Sequence, residues 1–220
     1  MSNRIVIVHA QPIIRQSLAA LVESRGDYQA IGEAGDGRAA IDTIDRLRPD
    51  IVLIDLLLPS LNGIDVTRRL AKACPKVKVL VLAMVGTDRQ HVAEAIKSGA
   101  AGALWQDASA DELLRALQVI DAEQMYLSPG IADVVVNNYV RNPGGNGNAD
   151  GRLASLTNRQ REILQLVSEG RSTKQIAHDL DISPKTVDTH RQELMTKLNL
   201  FSIAELTKFA VREGLTTIDG

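Results

Sequence analysis

Cysteine, aromatic residues and long apolar runs are all scarce in this sequence, and each shortage excludes a class of protein. Cys74 is the single cysteine of 220 residues, which excludes a disulfide scaffold within the monomer and a cysteine-based zinc site. One Trp, three Tyr and two Phe make a stacking platform for single-stranded nucleic acid improbable. The longest apolar run, residues 51–58, contains Asp55 and is far shorter than the roughly 20 residues of a membrane span. With no secretory signal at the N-terminus, we expect a cytoplasmic protein without a membrane partner.

Charge is nearly balanced over the whole chain but is unevenly distributed. The 25 Lys and Arg residues face 27 Asp and Glu residues, and the net charge is −2. Residues 1–140 carry a net charge of −3, whereas residues 151–220 carry +1, with basic side chains grouped in one part of that segment. The total argues against a nucleic-acid partner, but the distribution argues for one in the C-terminal part.

A change in composition divides the chain. Residues 141–151 contain four glycines, three asparagines and one proline, and they cannot bury a core. We predict a flexible linker between two domains, the less favoured alternative being a long loop within one domain. The predicted bounds are 1–137 for the first domain, 138–152 for the linker and 153–220 for the second domain.

The N-terminal part alternates short apolar runs with amphipathic helical patterns. Such alternation predicts an α/β domain, a doubly wound five-stranded parallel sheet covered by helices on both faces. Residues 123–140 are not assigned to an element. The predicted strands are residues 5–8, 29–32, 51–54, 77–82 and 103–105.

The C-terminal part is purely helical in pattern and its helix starts are well marked. Thr157 and Gln160 form a capping-box pattern, Ser172 or Thr173 caps a second helix, and Ser183 precedes a proline at the start of a third. A fourth helix begins near Ile203. Two helices joined by a short turn predict an all-α helix-turn-helix domain.

Three segments of this part resemble the LuxR-type DNA-binding domain: residues 156–164, 172–191 and 195–198. The resemblance covers nearly all of residues 153–217. It implies that the third helix reads the major groove of double-stranded DNA and that the fourth forms a dimer contact. Base-facing positions of the family fall on Asp188, Thr189 and Gln192, although many relatives carry Lys in place of Asp188. The remaining DNA-binding residues implied are Thr173, Lys174, Lys185, Thr186, His190, Arg191 and Lys197. No metal site is expected at the histidines, since no third ligand is suitably spaced.

The N-terminal part is similar to response-regulator receiver domains in residues 49–63, 98–102 and 107–109. Asp55, which follows a buried strand, falls at the phosphoacceptor position. With both halves taken together, the chain resembles the NarL/FixJ family of response regulators over essentially its whole length.

Several residues on which receiver chemistry depends are replaced here. The resemblance implies an acidic pair after the first strand, a Ser or Thr after the fourth and a Lys after the fifth, with an aromatic residue three positions before the Lys. This chain has His9, Ala10, Ala83, Gln106 and Ala103 at those positions. Magnesium prefers carboxylate and water oxygens, so we expect its binding to be lost or weak and no cofactor to be bound. The expected result is a degenerate receiver in which Asp55 is not a working phosphoacceptor.

These observations predict a transcriptional regulator that binds double-stranded DNA as a homodimer, independently of phosphorylation. One alternative is that a small ligand or a partner protein occupies the receiver pocket beside His9 and Gln106 and controls DNA binding. A second is a protein-interaction adaptor that has lost DNA binding. An enzyme is not expected, because no glycine-rich phosphate loop follows the first strand and no nucleophile–base pair is visible.

Overall fold

The structure is a computed structural model that describes residues 2–84, 89–133 and 151–217. The chain forms two compact units, divided between positions 143 and 144, which lie outside the described residues. The predicted linker, 138–152, also lies outside them except for its last two residues. Gly151 and Arg152 begin the short helix α6 (Gly151–Ala154), so the linker's predicted C-terminal bound overlaps a helix.

The first unit is built on a parallel sheet with strand order β2-β1-β3-β4-β5-β6. All five predicted strands are present, but the predicted strand number is wrong because a sixth strand pairs with β5 at the edge. That strand has two residues, too few to show a periodic or apolar pattern in the sequence. The strands are β1 (Asn3–Val8), β2 (Tyr28–Ala34), β3 (Ile51–Asp55), β4 (Lys78–Ala83), β5 (Gly102–Trp105) and β6 (Tyr126–Leu127).

Helices cover both faces of this sheet, which confirms the doubly wound α/β class. Alternate residues of β1 enter separate cores: Ile5 and Ile7 pack with α1 and α5, whereas Val6 and Val8 pack with α2, α3 and α4. Residues 129–133 are also helical. The helices that precede this segment are α1 (Pro12–Glu23), α2 (Gly37–Leu47), α3 (Gly63–Ala73), α4 (Arg89–Lys97) and α5 (Ala110–Asp121).

The second unit is all helical, and the predicted helix starts are confirmed. Thr157 and Ser172 each form a complete capping box, and the Ser183 side chain accepts a hydrogen bond from the backbone N–H of Thr186. The core contains Val187, Leu194 and Leu198 of the third predicted helix. After α6 the helices are α7 (Asn158–Ser168), α8 (Thr173–Asp179), α9 (Pro184–Leu198) and α10 (Ile203–Arg212).

Among the helices of the described residues, none has both the length and the apolar character that crossing a lipid bilayer requires.

A close backbone approach fixes α3 against the end of β3. A Cβ atom added at Gly63 would lie 2.1 Å from the carbonyl oxygen of Asp55. The Gly63 N–H also donates to the carbonyl of Leu56 at 2.9 Å. The polypeptide after Asp55 is therefore held tightly under the start of α3, which positions the Asp55 side chain.

We expect Gly63→Ala to destabilise the first unit by about 2 kcal/mol, because the added methyl group forces α3 away from β3. Urea unfolding followed by the fluorescence of Trp105 measures this, since the single tryptophan lies in this unit. Gly35→Ala is the control: its Cβ would approach a flexible arginine side chain at 3.4 Å. Equal unfolding midpoints for the two variants would contradict the prediction.

Candidate functional site

The carboxyl edge of the sheet brings Asp55, His9 and Gln106 together. Asp55 is only 6% exposed. Its Oδ1 accepts hydrogen bonds from Gln106 Nε2 at 3.0 Å and from the backbone N–H of Leu57 at 3.3 Å. Its Oδ2 lies 3.6 Å from His9 Nε2. The phosphoacceptor position is therefore surrounded by two side chains that the sequence analysis assigned to the same pocket.

Burial governs the ionisation of both acid–base groups in this pocket. It raises the pKa of Asp55 to about 6, although hydrogen bonds from Leu57, Leu56 and Gln106 act in the opposite direction. Burial also lowers the pKa of His9, and the charge of Arg15 lowers it further. His9 Nδ1 accepts a hydrogen bond from the Gln11 N–H at 3.0 Å, which leaves the proton of the neutral ring on Nε2.

Arg15 of α1 holds the backbone of the β1–α1 loop and was not identified from the sequence. Its NH1 donates to the carbonyl oxygens of His9 at 2.7 Å and Ala10 at 3.0 Å. Its Nε donates to Glu33 Oε2 at 3.2 Å. No sequence pattern distinguishes Arg15 from other surface arginines, because its role depends on how α1 packs beside β2.

The side chains of this pocket do not fit a magnesium ion. Magnesium requires oxygen ligands in near-octahedral arrangement, usually including one or two carboxylates. Asp55 supplies the carboxylate, but Gln106 turns its NH₂ group towards it and His9 offers an N–H. Ala10 and the buried Ala83 and Ala103 have no oxygen in their side chains. Within residues 2–84, 89–133 and 151–217, no group of three or more His, Cys, Asp or Glu residues could hold a metal ion.

The second unit presents a helix-turn-helix, formed by α8, residues 180–183 and α9. Asp181 adopts the left-handed backbone conformation with φ of 51°, which turns the chain sharply between the helices. The N–H of Ile182 then donates to the carbonyl of Ala177 at 3.0 Å. Ser183 caps α9, and Pro184 occupies its first turn. The short turn predicted between the two helices is therefore held in place by these contacts.

One face of α9 is buried and the opposite face is open. Lys185, Thr189 and Gln192 are exposed on the open face. Asp188 lies among them, half-buried, with Oδ1 2.9 Å from Arg191 NH2. Helical periodicity places residues 185, 188, 189 and 192 on one stripe. This stripe, called the groove face below, is the candidate nucleic-acid interface.

The other predicted DNA-binding residues lie on α8 and α9, and several of them contact side chains of their own unit. Arg191 NH1 donates to Thr173 Oγ1 at 3.4 Å, so α8 and α9 are linked beside the exposed Lys174. Lys197 Nζ instead donates to Gln160 Oε1 of α7 at 2.9 Å. The remaining two have local partners on α9: Thr186 Oγ1 lies 2.8 Å from Ser183 Oγ, and His190 Nδ1 lies 3.6 Å from Glu193 Oε2.

Comparison with known proteins matches both units to families. The family model described as "Response regulator receiver domain" matches residues 5–118, and that of the bacterial regulatory proteins of the luxR family matches residues 154–210. The chain belongs to the NarL/FixJ family of response regulators. It is a transcriptional response regulator with a LuxR-type DNA-binding domain.

Relatives of this NarL/FixJ protein match along its whole length. It is 32% identical to the transcriptional regulatory protein LnrK of Bacillus subtilis over 217 residues, 97% of this chain and 98% of LnrK. It is 29% identical to the oxygen regulatory protein NreC of Staphylococcus carnosus, over 96% and 98% of the two chains. The crystal structure of ChrA, a response regulator of a heme-sensing two-component system, is 28% identical with a TM-score of 0.53, covering 97% and 98%.

Asp55→Asn should stabilise the receiver of this NarL/FixJ protein at neutral pH. The carboxyl has a pKa of about 6 when folded and 3.8 as its ordinary value, so the folded state binds more protons between those pH values. Its ionisation therefore destabilises the wild type as pH rises from 4 to 6. We expect Asp55→Asn to be more stable by about 3 kcal/mol at pH 7.5, with the difference vanishing near pH 3.

The measurement is urea unfolding at a series of pH values, followed by Trp105 fluorescence. Asp107→Asn removes an exposed carboxylate near the same edge of the sheet and controls for the loss of one negative charge. A wild type that is as stable as Asp55→Asn at pH 7.5 would show that burial does not penalise this carboxylate.

Proposed function

We propose that this protein binds double-stranded DNA as a homodimer through the groove face of α9, and that its receiver works without phosphorylation of Asp55. The observation that carries the proposal is the environment of Asp55. Its carboxylate is bound by the neutral amide of Gln106 and faces a neutral His9, where a phosphoacceptor needs a metal ion and a cation.

The groove face has suitable chemistry for reading DNA. Thr189 and Gln192 are exposed hydrogen-bonding side chains, and the Asp188 carboxylate is an acceptor for a cytosine amino group. Lys174 and Lys185 are exposed beside them and suit phosphate contacts that set the position of the helix. A protein-interaction adaptor would not require this combination at a capped helix N-terminus, and it is not proposed.

Dimerisation would offset the weak overall electrostatics of the DNA-binding unit. A net charge of +1 over residues 151–220 provides little sequence-independent attraction to phosphates. Two copies that bind adjacent half-sites double the number of contacts. The half-sites are then expected on one face of the duplex, about 10 base pairs apart or at a multiple of that distance.

Phosphorylation of Asp55 is disfavoured by electrostatics. Bringing a phosphoryl donor to a carboxylate places two anionic groups together, and catalysis depends on neutralising them. Gln106 carries no charge, and the pKa of His9 is lowered by burial, so the ring is neutral near pH 7. The receiver is then a constitutive dimerisation and positioning unit rather than a phosphorylation switch.

Two substitutions on the groove face should have different effects on DNA binding. An operator is first selected from a random DNA pool, and affinities are measured by gel shift at several salt concentrations. Lys185→Ala should weaken binding similarly for all operator variants and reduce the salt slope by about 1. Asp188→Ala should change the preferred base at one position by about 5- to 10-fold while altering the affinity for the best sequence less.

Lys76→Ala removes an exposed charge that belongs to the receiver and not to the DNA-binding unit, and it serves as the control. Failure of the selection to enrich any sequence would contradict the proposal and favour an adaptor. A uniform loss across all operators for Asp188→Ala would show that this residue does not read bases.

Acetyl phosphate, or beryllofluoride, with magnesium should leave the wild-type protein unchanged in mass, oligomeric state and DNA affinity. The matched control is a quadruple variant, His9→Asp, Ala10→Asp, Ala83→Thr and Gln106→Lys, which introduces the residue types expected in a phosphorylatable receiver. It should acquire a modification that is lost when Asp55→Asn is added. A mass increase of one phosphoryl group on wild-type Asp55 would overturn the proposal.

A further inference from the structure

Gln160 is a buried polar residue of α7 whose side chain contacts α9. It is only 2% exposed. Its Oε1 accepts hydrogen bonds from Lys197 Nζ at 2.9 Å and from the backbone N–H of Thr157 at 3.1 Å. Its Nε2 donates to Glu193 Oε2 at 3.0 Å. One amide group therefore joins the cap of α7 to two side chains of the helix that carries the groove face.

The chemistry of the amide suits these three partners in one orientation. An amide carries an acceptor oxygen and a donor NH₂ group on the same carbon. Here the oxygen faces an ammonium group and an N–H, and the NH₂ group faces a carboxylate. The reversed orientation would turn the NH₂ group towards Lys197 and the Thr157 N–H, both of which are donors. The cap of α7 thereby fixes the Gln160 amide, and the amide fixes the positions of Glu193 and Lys197.

Neighbouring residues of α7 hold the helix-turn-helix at two points. Arg159 NH2 donates to the carbonyl of Leu180 at 2.6 Å, in the turn that precedes α9. Gln160 holds Glu193 and Lys197, in the C-terminal half of α9. Two points set the direction of a helix axis, and residues 185–192 of the groove face lie between them.

We propose that Gln160 is a positioning residue for DNA recognition: through Glu193 and Lys197 it holds α9 in the direction that presents the groove face to the bases. This inference rests on the proposed function, because it takes the groove face as the surface that reads DNA. Base contacts depend strongly on hydrogen-bond geometry. A small change in the direction of α9 therefore lowers discrimination between sequences more than it weakens phosphate contacts.

The inference also changes the role of Lys197, which the resemblance assigns to DNA binding. Its ammonium group donates to Gln160 Oε1 and, at 3.4 Å, to the carbonyl of Ser155. Both acceptors belong to the same unit, so Lys197 acts as a structural contact between α9 and the start of α7.

Gln160→Glu and its rescue test this role. The variant keeps an acceptor for Lys197 but turns a carboxylate oxygen towards Glu193, and the two negative charges repel each other. Adding Glu193→Gln restores a donor and an acceptor across the contact, with their roles exchanged. The measurement is the ratio of the affinities for the selected operator and for a single-base variant of it. We expect Gln160→Glu to lower this ratio about five-fold and the double variant to recover the wild-type ratio.

Two single substitutions are the controls. Glu193→Gln alone should leave the ratio unchanged, because two amides can still hydrogen-bond to each other. Asp181→Asn removes one exposed negative charge from the same unit, at a left-handed backbone position that Asn tolerates, and shows the general effect of charge on affinity. A double variant as impaired as Gln160→Glu would overturn the proposal, because the contact with Glu193 would then not explain the loss.

Lys197→Met distinguishes a structural contact from a phosphate contact. It keeps an unbranched side chain but removes the donor to Gln160, and it provides the test if Gln160→Glu does not fold. We expect a lower affinity ratio with the salt slope of the wild type, whereas Lys185→Ala lowers the slope by about 1. A slope lowered by about 1 in Lys197→Met would show that Lys197 contacts a phosphate and would overturn its structural role.

Hydrogen exchange of the full-length protein, followed by mass spectrometry, tests the contact without DNA. The backbone amides of α9 should exchange about five-fold faster in Gln160→Glu and at the wild-type rate in the double variant. Equal exchange in the wild type and in Gln160→Glu would show that Gln160 does not hold α9, even where an operator has been selected. Failure of the wild type to enrich any operator would instead contradict the proposed function, and the exchange rates would still show whether Gln160 holds α9.

Discussion

The burial of the Asp55 carboxylate is the constraint on which the receiver depends. A carboxylate in an apolar surrounding must be hydrogen-bonded or protonated. Here the Gln106 amide and the Leu57 N–H provide the hydrogen bonds. The pKa of Asp55 is still raised to about 6, because these bonds offset only part of the cost of burying the charge. Because Gln106 follows β5 and Asp55 ends β3, this hydrogen bond also joins two strands separated by β4.

The groups around Asp55 are neutral, and that determines what kind of signal the pocket can receive. A phosphorylation switch works by adding a negatively charged group, and the pocket must hold a metal ion and a cation to neutralise that charge. Neutral amide and imidazole groups respond instead to contact and to hydrogen bonding. The proposed control without phosphoryl transfer is consistent with these neutral groups, because binding can act on them through contact and hydrogen bonding.

Features of the fold that depend on a few neighbouring residues could be predicted from the sequence, whereas features that depend on packing could not. The caps at Thr157, Ser172 and Ser183 are encoded within four residues each, and the structure confirms them. The strand Tyr126–Leu127 was not predicted, because it is defined by its pairing with β5 and two residues show no pattern of their own. Likewise, the resemblance assigned Asp55 and Gln106 to one pocket, but the hydrogen bond between them and the role of Arg15 depend on packing that the sequence does not show.

The groove face shows how a weakly basic unit can still recognise DNA. Asp188 and Arg191 form an ion pair in the free protein, with 2.9 Å between Oδ1 and NH2. In the proposed DNA complex, a phosphate would compete for Arg191 while a cytosine amino group would compete for Asp188. The exchange replaces one ion pair by two contacts only when a suitable base faces Asp188. With any other base, the Asp188 carboxylate would lose Arg191 and gain no partner, close to the negatively charged DNA backbone. The free energy needed to break the ion pair would then disfavour binding to those sequences.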